Sequence, residues 1–110
     1  MSRSDIHRLA DMLMAADEIA LIVSRGRDTY ESDLAIRRAV ERCLEIFGEA
    51  AKSLSSELRD AHQEVPWSDM TKIRDRLSHH YHRIDHAQLW VIAEQNVPAA
   101  ADQIRNIVVD

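Results

Sequence analysis

The sequence predicts an all-α domain of four to five helices in an antiparallel, up-and-down bundle. Three observations carry that prediction. Only two glycines and two prolines occur in 110 residues, too few turn formers for the many reversals an all-β fold requires. Apolar residues recur at three- and four-residue steps over long stretches, the period of a helix with one buried face. The connections between those stretches are short, which makes consecutive helices antiparallel neighbours. A composition of 45% apolar and 30% charged residues is that of a globular chain. A single domain, 1–110, of this length buries roughly two-thirds of its unfolded surface without needing disulfides or a structural metal.

A first helix is expected from about Ser4, its cap, to Ser24. Asp5 suits its first turn, and Ile6, Leu9, Leu13, Ala16, Ala20 and Val23 form the apolar stripe. Gly26 stops it. A second helix starts near Tyr30–Ser32 and carries Leu34, Ala35, Ala39, Val40, Cys43, Leu44, Ile46 and Phe47. Its pattern continues past Gly48 to Leu58, either as one long helix or as two segments bent at Gly48. Pro66 occupies the first position of a third helix, which runs to about Arg83. Asp85 or His86 opens a fourth with Leu89, Trp90, Ile92 and Ala93, and Pro98 interrupts or restarts it before Ala101, Ile104, Ile107 and Val108. Gly48 reads as a close helix crossing, Trp67 and Trp90 as core or interface anchors, and Met12, Met14 and Met70 as core fillers.

Several function classes are excluded or disfavoured by the same composition. One cysteine, Cys43, forms no intramolecular disulfide, and secreted scaffolds carry larger, even numbers. No apolar run approaches the length of about eighteen residues that a membrane span needs. The start of the chain leads into a charged helix rather than an apolar signal core. A cytoplasmic protein without a membrane partner is the expectation. The net charge of −5 supplies no general attraction to nucleic acid. The charge is unevenly spread, however: Thr71 to His86 carries Lys72, Arg74, Arg76 and Arg83 against Asp75 and Asp85.

Four histidines fall within the eight residues His79 to His86. As a polar helix end they would interact with the C-terminal dipole. As metal ligands, His79, His82 and His86 could line one stripe with Asp85 nearby, but no HExxH or CxxC pattern accompanies them. As acid–base groups on a phosphodiester, they would supply a proton acceptor near neutrality beside the fixed cations of the neighbouring arginines.

The residues just upstream favour the third reading. Arg74, four intervening residues, His79, one residue and Tyr81 resemble the Rx4–6H signature of the HEPN superfamily, in the Rx4HxY form of the HepT-like toxins. The segment Ala39-Val40-Glu41-Arg42 through Ile46-Phe47-Gly48-Glu49-Ala50-Ala51-Lys52 is similar to another helix of that family. Pro66-Trp67, Ile84-Asp85, Leu89-Trp90 and Val97-Pro98 also fall where the family has them. The resemblance implies a HEPN-type bundle and a homodimer whose two motif segments meet in a cleft. It further implies metal-independent endoribonuclease activity without a cofactor, as the toxin of a toxin–antitoxin pair. The implied partner is a nucleotidyltransferase antitoxin that silences the toxin by adding AMP to the motif tyrosine. Carried over by position, Arg74 and His79 are the catalytic pair and Tyr81 the AMP acceptor. Beside them, the charged neighbours Lys72, Asp75 and Arg76 are expected in supporting or phosphate-binding places. Asp75 departs from the asparagine usual after the arginine.

Helical geometry constrains that site. Arg74 and Tyr81 are seven residues apart and fall within roughly 20° on one face, whereas Arg74 and His79 diverge by about 140°. A loosened helix, a reaching arginine or a second subunit would reconcile the pair, and the dimer does so most simply. Asp75, one turn before His79, is placed to hydrogen-bond its imidazole. Two alternatives stay open: a non-catalytic HEPN module that binds nucleotide or docks onto a nucleotidyltransferase, and a metal-binding helical bundle.

Overall fold

A computed structural model describes residues 1–79 and 83–109. The first helix, α1, spans Arg3–Val23, followed by a short α2 (Arg27–Ser32) and a long α3 (Leu34–Lys52). A second short helix, α4, covers Ser56–Ala61, and α5 covers Trp67–His79. The last stretch is one unbroken helical path made of α6 (His86–Val91), a π-helical turn (Ile92–Asn96) and α7 (Val97–Val109). The described residues contain no β-strand. Four long helical stretches thus form the bundle. In it α3 lies between α1 and α5, and α7 returns along α1.

Local chemistry sets each boundary. The cap of α1 is Ser2 rather than Ser4: its hydroxyl accepts from the Asp5 amide at 3.1 Å. Gly26 ends the turn after α1 at φ +92°, a conformation open to glycine. The expected start near Tyr30–Ser32 divides in two. Arg27–Ser32 already forms the single turn-and-a-half of α2, and Asp33 then caps α3 by accepting from Ala35 and Ile36. The apolar pattern through Gly48 is one unbroken helix to Lys52, and the break before Leu58 falls at Ser53–Ser55. Asp85 caps α6 through the amides of Ala87 and Gln88. Pro98 neither interrupts nor restarts the last helix. Its missing N–H and its ring are accommodated by the wider π-helical turn just before it, where the Val97 amide bonds to the Ile92 carbonyl.

The core is apolar and continuous, from Leu9, Met12 and Ile19 of α1 through Val40, Leu44 and Phe47 of α3 to Ile104 of α7. Met14 is the exception among the expected fillers; it lies on the outer face of α1 and is exposed. Trp67 and Trp90 are both buried. Trp67 donates its indole N–H to the His62 carbonyl at 2.9 Å. Trp90 stacks at a tilt on Tyr30, with ring centroids 5.3 Å apart. The Tyr30 hydroxyl donates to the His86 carbonyl at 2.9 Å, tying the start of α6 to α2. Burial, followed by the nearby Glu41 carboxylate, pushes the pKa of Tyr30 up to about 12.

One buried carboxylate pins two helix starts together. Asp5 accepts from the Ser55 amide at 2.9 Å and the Ser55 hydroxyl at 2.6 Å, while the same hydroxyl caps α4 through the Leu58 amide. Burial opposes ionisation of Asp5, but the hydrogen bonds from Ser55 and Ser2 outweigh it and hold the carboxyl below its usual range. Asp5→Ala is expected to cost about 2 kcal/mol at pH 7 in chemical denaturation, the scale of a charged hydrogen bond lost with its partner stranded. Because the folded pKa is lowered, the stabilisation is present above the unfolded value near 4 and fades as pH falls toward the folded value. The gap between wild type and variant should therefore narrow below about pH 4.

Candidate active site

The motif helix is seated by a glycine. A Cβ on Gly48 would strike the Cβ of Arg74 and come within 2.7 Å of the Met70 carbonyl oxygen. Only a residue without a side chain lets α3 and α5 approach this closely at Arg74. The expected close helix crossing at Gly48 is therefore observed, and it lies against the first motif residue.

The next residue of α3 sets the direction of the arginine. Arg74 Nε forms an ion pair with Glu49 Oε2 at 2.7 Å, and Arg74 Nη1 donates to Asp75 Oδ1 at 3.2 Å. Lys52, one turn further along α3, donates to the same Asp75 oxygen at 3.5 Å. The result is an alternating ladder of four charges, Glu49–Arg74–Asp75–Lys52, bridging the two helices. Arg74 is its most sheltered member, with a quarter of its side chain exposed (25%). The Arg74 hydrogen bond, with Lys52 beside it, holds the Asp75 carboxyl below the usual carboxylate range. Asp75 does not bond the His79 imidazole as expected. Its carboxylate turns toward the two fixed cations, with which it makes charge-assisted hydrogen bonds.

His79 closes the described part of α5 and is exposed. The helix is regular to that point, so it does not loosen near Ser78. Arg74 reaches toward α3, about 140° around the helix from His79. Within one chain the two side chains do not converge. Lys72, Arg76 and His79 instead share one stripe of α5, within about 60° of each other, and both Lys72 and Arg76 are exposed. Arg76 Nη1 donates to Gln88 Oε1 of α6 at 3.3 Å. Tyr81, like His80 and His82, lies outside the described residues. That also leaves the His79/His82/His86 stripe incomplete. Among the described residues no group of three or more His, Cys, Asp or Glu side chains is arranged to hold a metal ion. No helix there is long and apolar enough to cross a membrane.

Sequence reasoning did not single out Glu49 or Lys52 as site residues. Both stood in the quoted Gly48–Lys52 segment, three positions apart and so on one helix face. That spacing was the available signal, but nothing in the sequence says which helix that face meets.

The family model described as Ribonuclease HepT-like matches residues 12–107. A Thermococcus cleftensis protein named "Probable ribonuclease HepT" is 35% identical over 103 residues, covering 90% of this chain and 91% of that protein. A Methanocaldococcus jannaschii protein named "Putative RNase MJ0125" is 31% identical over 113 residues, covering 100% of this chain and 97% of that protein. No solved structure matches the chain at a significant level.

Proposed function

Because this chain belongs to the HepT-like ribonuclease family, we propose that it is an endoribonuclease, the toxin of a toxin–antitoxin pair, with Arg74 and His79 as its catalytic residues. The observation that carries this reading is the seat of Arg74. An arginine whose Cβ packs at the Gly48 crossing and whose guanidinium is aimed by Glu49 has a fixed orientation, as a group that stabilises a transition state requires. His79, at the last described position of the same helix, is exposed and open to substrate.

The reaction follows from those two groups. His79 takes the proton of an RNA 2′-hydroxyl, and the freed oxygen attacks the adjacent phosphorus. Arg74 neutralises charge gathering on the non-bridging oxygens as the P–O5′ bond breaks. The departing O5′ takes a proton from solvent water and His79 returns its own to solvent. The products are therefore a 2′,3′-cyclic phosphate and a new 5′-hydroxyl, and no redox or metal step is needed. Exposed Lys72 and Arg76, on the His79 stripe, attract flanking phosphates. Since Arg74 and His79 diverge on a regular helix, the active unit is a homodimer in which Arg74 of one subunit faces the phosphate held by His79 of the other. The test is direct: purified protein should cleave RNA in excess chelator and leave 2′,3′-cyclic ends. Cleavage that requires an added divalent cation would overturn the mechanism. No cleavage under any condition would leave a non-catalytic module that binds nucleotide or docks a nucleotidyltransferase.

Control is assigned to Tyr81. The partner is a nucleotidyltransferase antitoxin that transfers AMP from ATP to its hydroxyl with release of pyrophosphate. This attaches a bulky anion two residues along the chain from His79 to hinder substrate phosphate. Tyr81→Phe should keep cleavage yet escape silencing by that partner with ATP. Equal AMP incorporation into the Phe variant, read by intact-mass spectrometry, would contradict this.

A further inference from the structure

A second feature beside the motif helix has the shape and chemistry of a nucleotide subsite. A cleft of about 290 Å³ opens between α3, α5 and the π-helical turn. Its floor and walls are apolar, with Phe47 of α3, Ile73 of α5, and Ile92, Val97 and Ala100 from the turn and α7. Lys72, Arg76, Gln88 and Asn96 stand among its lining groups. Pockets for small ligands have this composition, apolar surface with a few placed polar groups, and this volume sits at the low end of their range. It has room for a base and its sugar, not for an extended ligand. The π-helical turn that walls one side is a feature often met at functional sites.

The charges give the cleft a direction. Asp69 also lines it, seven residues and two turns of α5 before Arg76. A bound anion is therefore repelled from the Asp69 end and drawn to the Arg76 end, where Gln88 tethers the guanidinium at 3.3 Å. Continuing one turn along the same stripe leads to His79. We propose that this cleft takes one unstacked nucleobase of the RNA strand, with its phosphate at Arg76 and Lys72, so that the neighbouring phosphodiester is delivered toward His79. The inference rests on the ribonuclease reading for its substrate class, but the cleft itself is tested without cleavage. Apolar walls cover any base face without reading its identity, so the subsite is a general base holder, with Asn96 and Gln88 among the lining groups available to base edges.

Methyl-resolved NMR of the full chain, titrated with uridine 5′-monophosphate, uridine and inorganic phosphate separately, tests this. The nucleotide should saturably shift the methyl signals of Ile73, Ile92 and Val97, whereas phosphate alone should leave those methyls in place. Ala100→Leu, which fills the cleft, should weaken the nucleotide about tenfold or more. Arg76→Gln, at an exposed position that leaves the fold intact, should weaken the nucleotide but not uridine. In RNA cleavage Ala100→Leu should raise KM more than it changes kcat. Unmoved methyls at about 10 mM nucleotide, with RNA still cleaved, would overturn the subsite and leave the ribonuclease reading standing. Methyl shifts that follow protein dilution instead would assign the cleft to a second copy and also overturn it. Saturable nucleotide binding in a protein that cleaves no RNA would support the subsite while removing the ribonuclease reading.

Discussion

Arg74→Ala and His79→Ala should each lower RNA cleavage by about a hundredfold or more, the usual loss for removing a charge-stabilising donor or a general base. The more discriminating result comes from mixing them. If each site takes Arg74 from one subunit and His79 from the other, a dimer of one Arg74→Ala chain and one His79→Ala chain contains one site with both defects and one site with neither. Random reassortment makes half the dimers mixed, so the mixture should recover about one-quarter of wild-type activity. Were both residues of a site drawn from one chain, no mixed dimer would hold an intact site and the mixture would stay inactive. Sedimentation at micromolar concentration supplies the accompanying check, because the recovery requires a dimer. The geometry behind this expectation is simple. Arg74 turns to Glu49 on α3 while His79 stands about 140° around the same unbent helix.

Gly48→Ala should be the most damaging single-methyl change in the protein. Helix propensity alone would reward alanine by about 1 kcal/mol. Against that, the new methyl would overlap the Arg74 Cβ and press to 2.7 Å from the Met70 carbonyl, which is backbone and cannot swing aside. Separating α3 from α5 should cost a net of about 2 kcal/mol, or roughly 10 °C in Tm by thermal melting. It should also unseat Arg74, so cleavage should fall even at temperatures where the variant is fully folded. Gly26→Ala provides the contrast. Nothing lies within 4 Å of a Cβ there, and only its φ of +92° resists substitution. It should cost about 1 kcal/mol and leave cleavage unchanged. Equal effects at the two glycines would refute the close-crossing account.

How much of this was legible beforehand depends on whether the information is local. The long helices were readable because each carries its own apolar stripe, and Gly48 because a lone glycine amid such a stripe has few other uses. The short α2 was not. Its six residues, Arg27–Ser32, bury only Tyr30 and show no period. The π-helical turn was missed for a different reason. Pro98 signals that a regular helix is impossible, but whether the chain breaks or widens is decided by the packing of Ala93 and Val97 into the core. In the site, the family resemblance singled out Arg74 and His79, which lie on one helix but on different sides of it. The expectation that Asp75 serves His79 failed because its carboxylate is taken by its neighbour Arg74 and by Lys52 from α3. Glu49 likewise gains its meaning only when α3 meets α5.

Cys43 offers a consequence of a practical kind. Its side chain is buried in α3 and its thiol donates to Glu18 Oε2 of α1 at 3.6 Å. Burial, then the Glu18 hydrogen bond and charge, pushes its pKa up to about 11. At neutral pH the buried thiol stays protonated while the protein is closed, so an alkylating reagent finds little access and little thiolate. Modification must wait for α1 to part from α3. The rate at which iodoacetamide consumes Cys43 under native conditions is therefore a clock for that parting, and it gives the opening free energy of the bundle without any introduced probe.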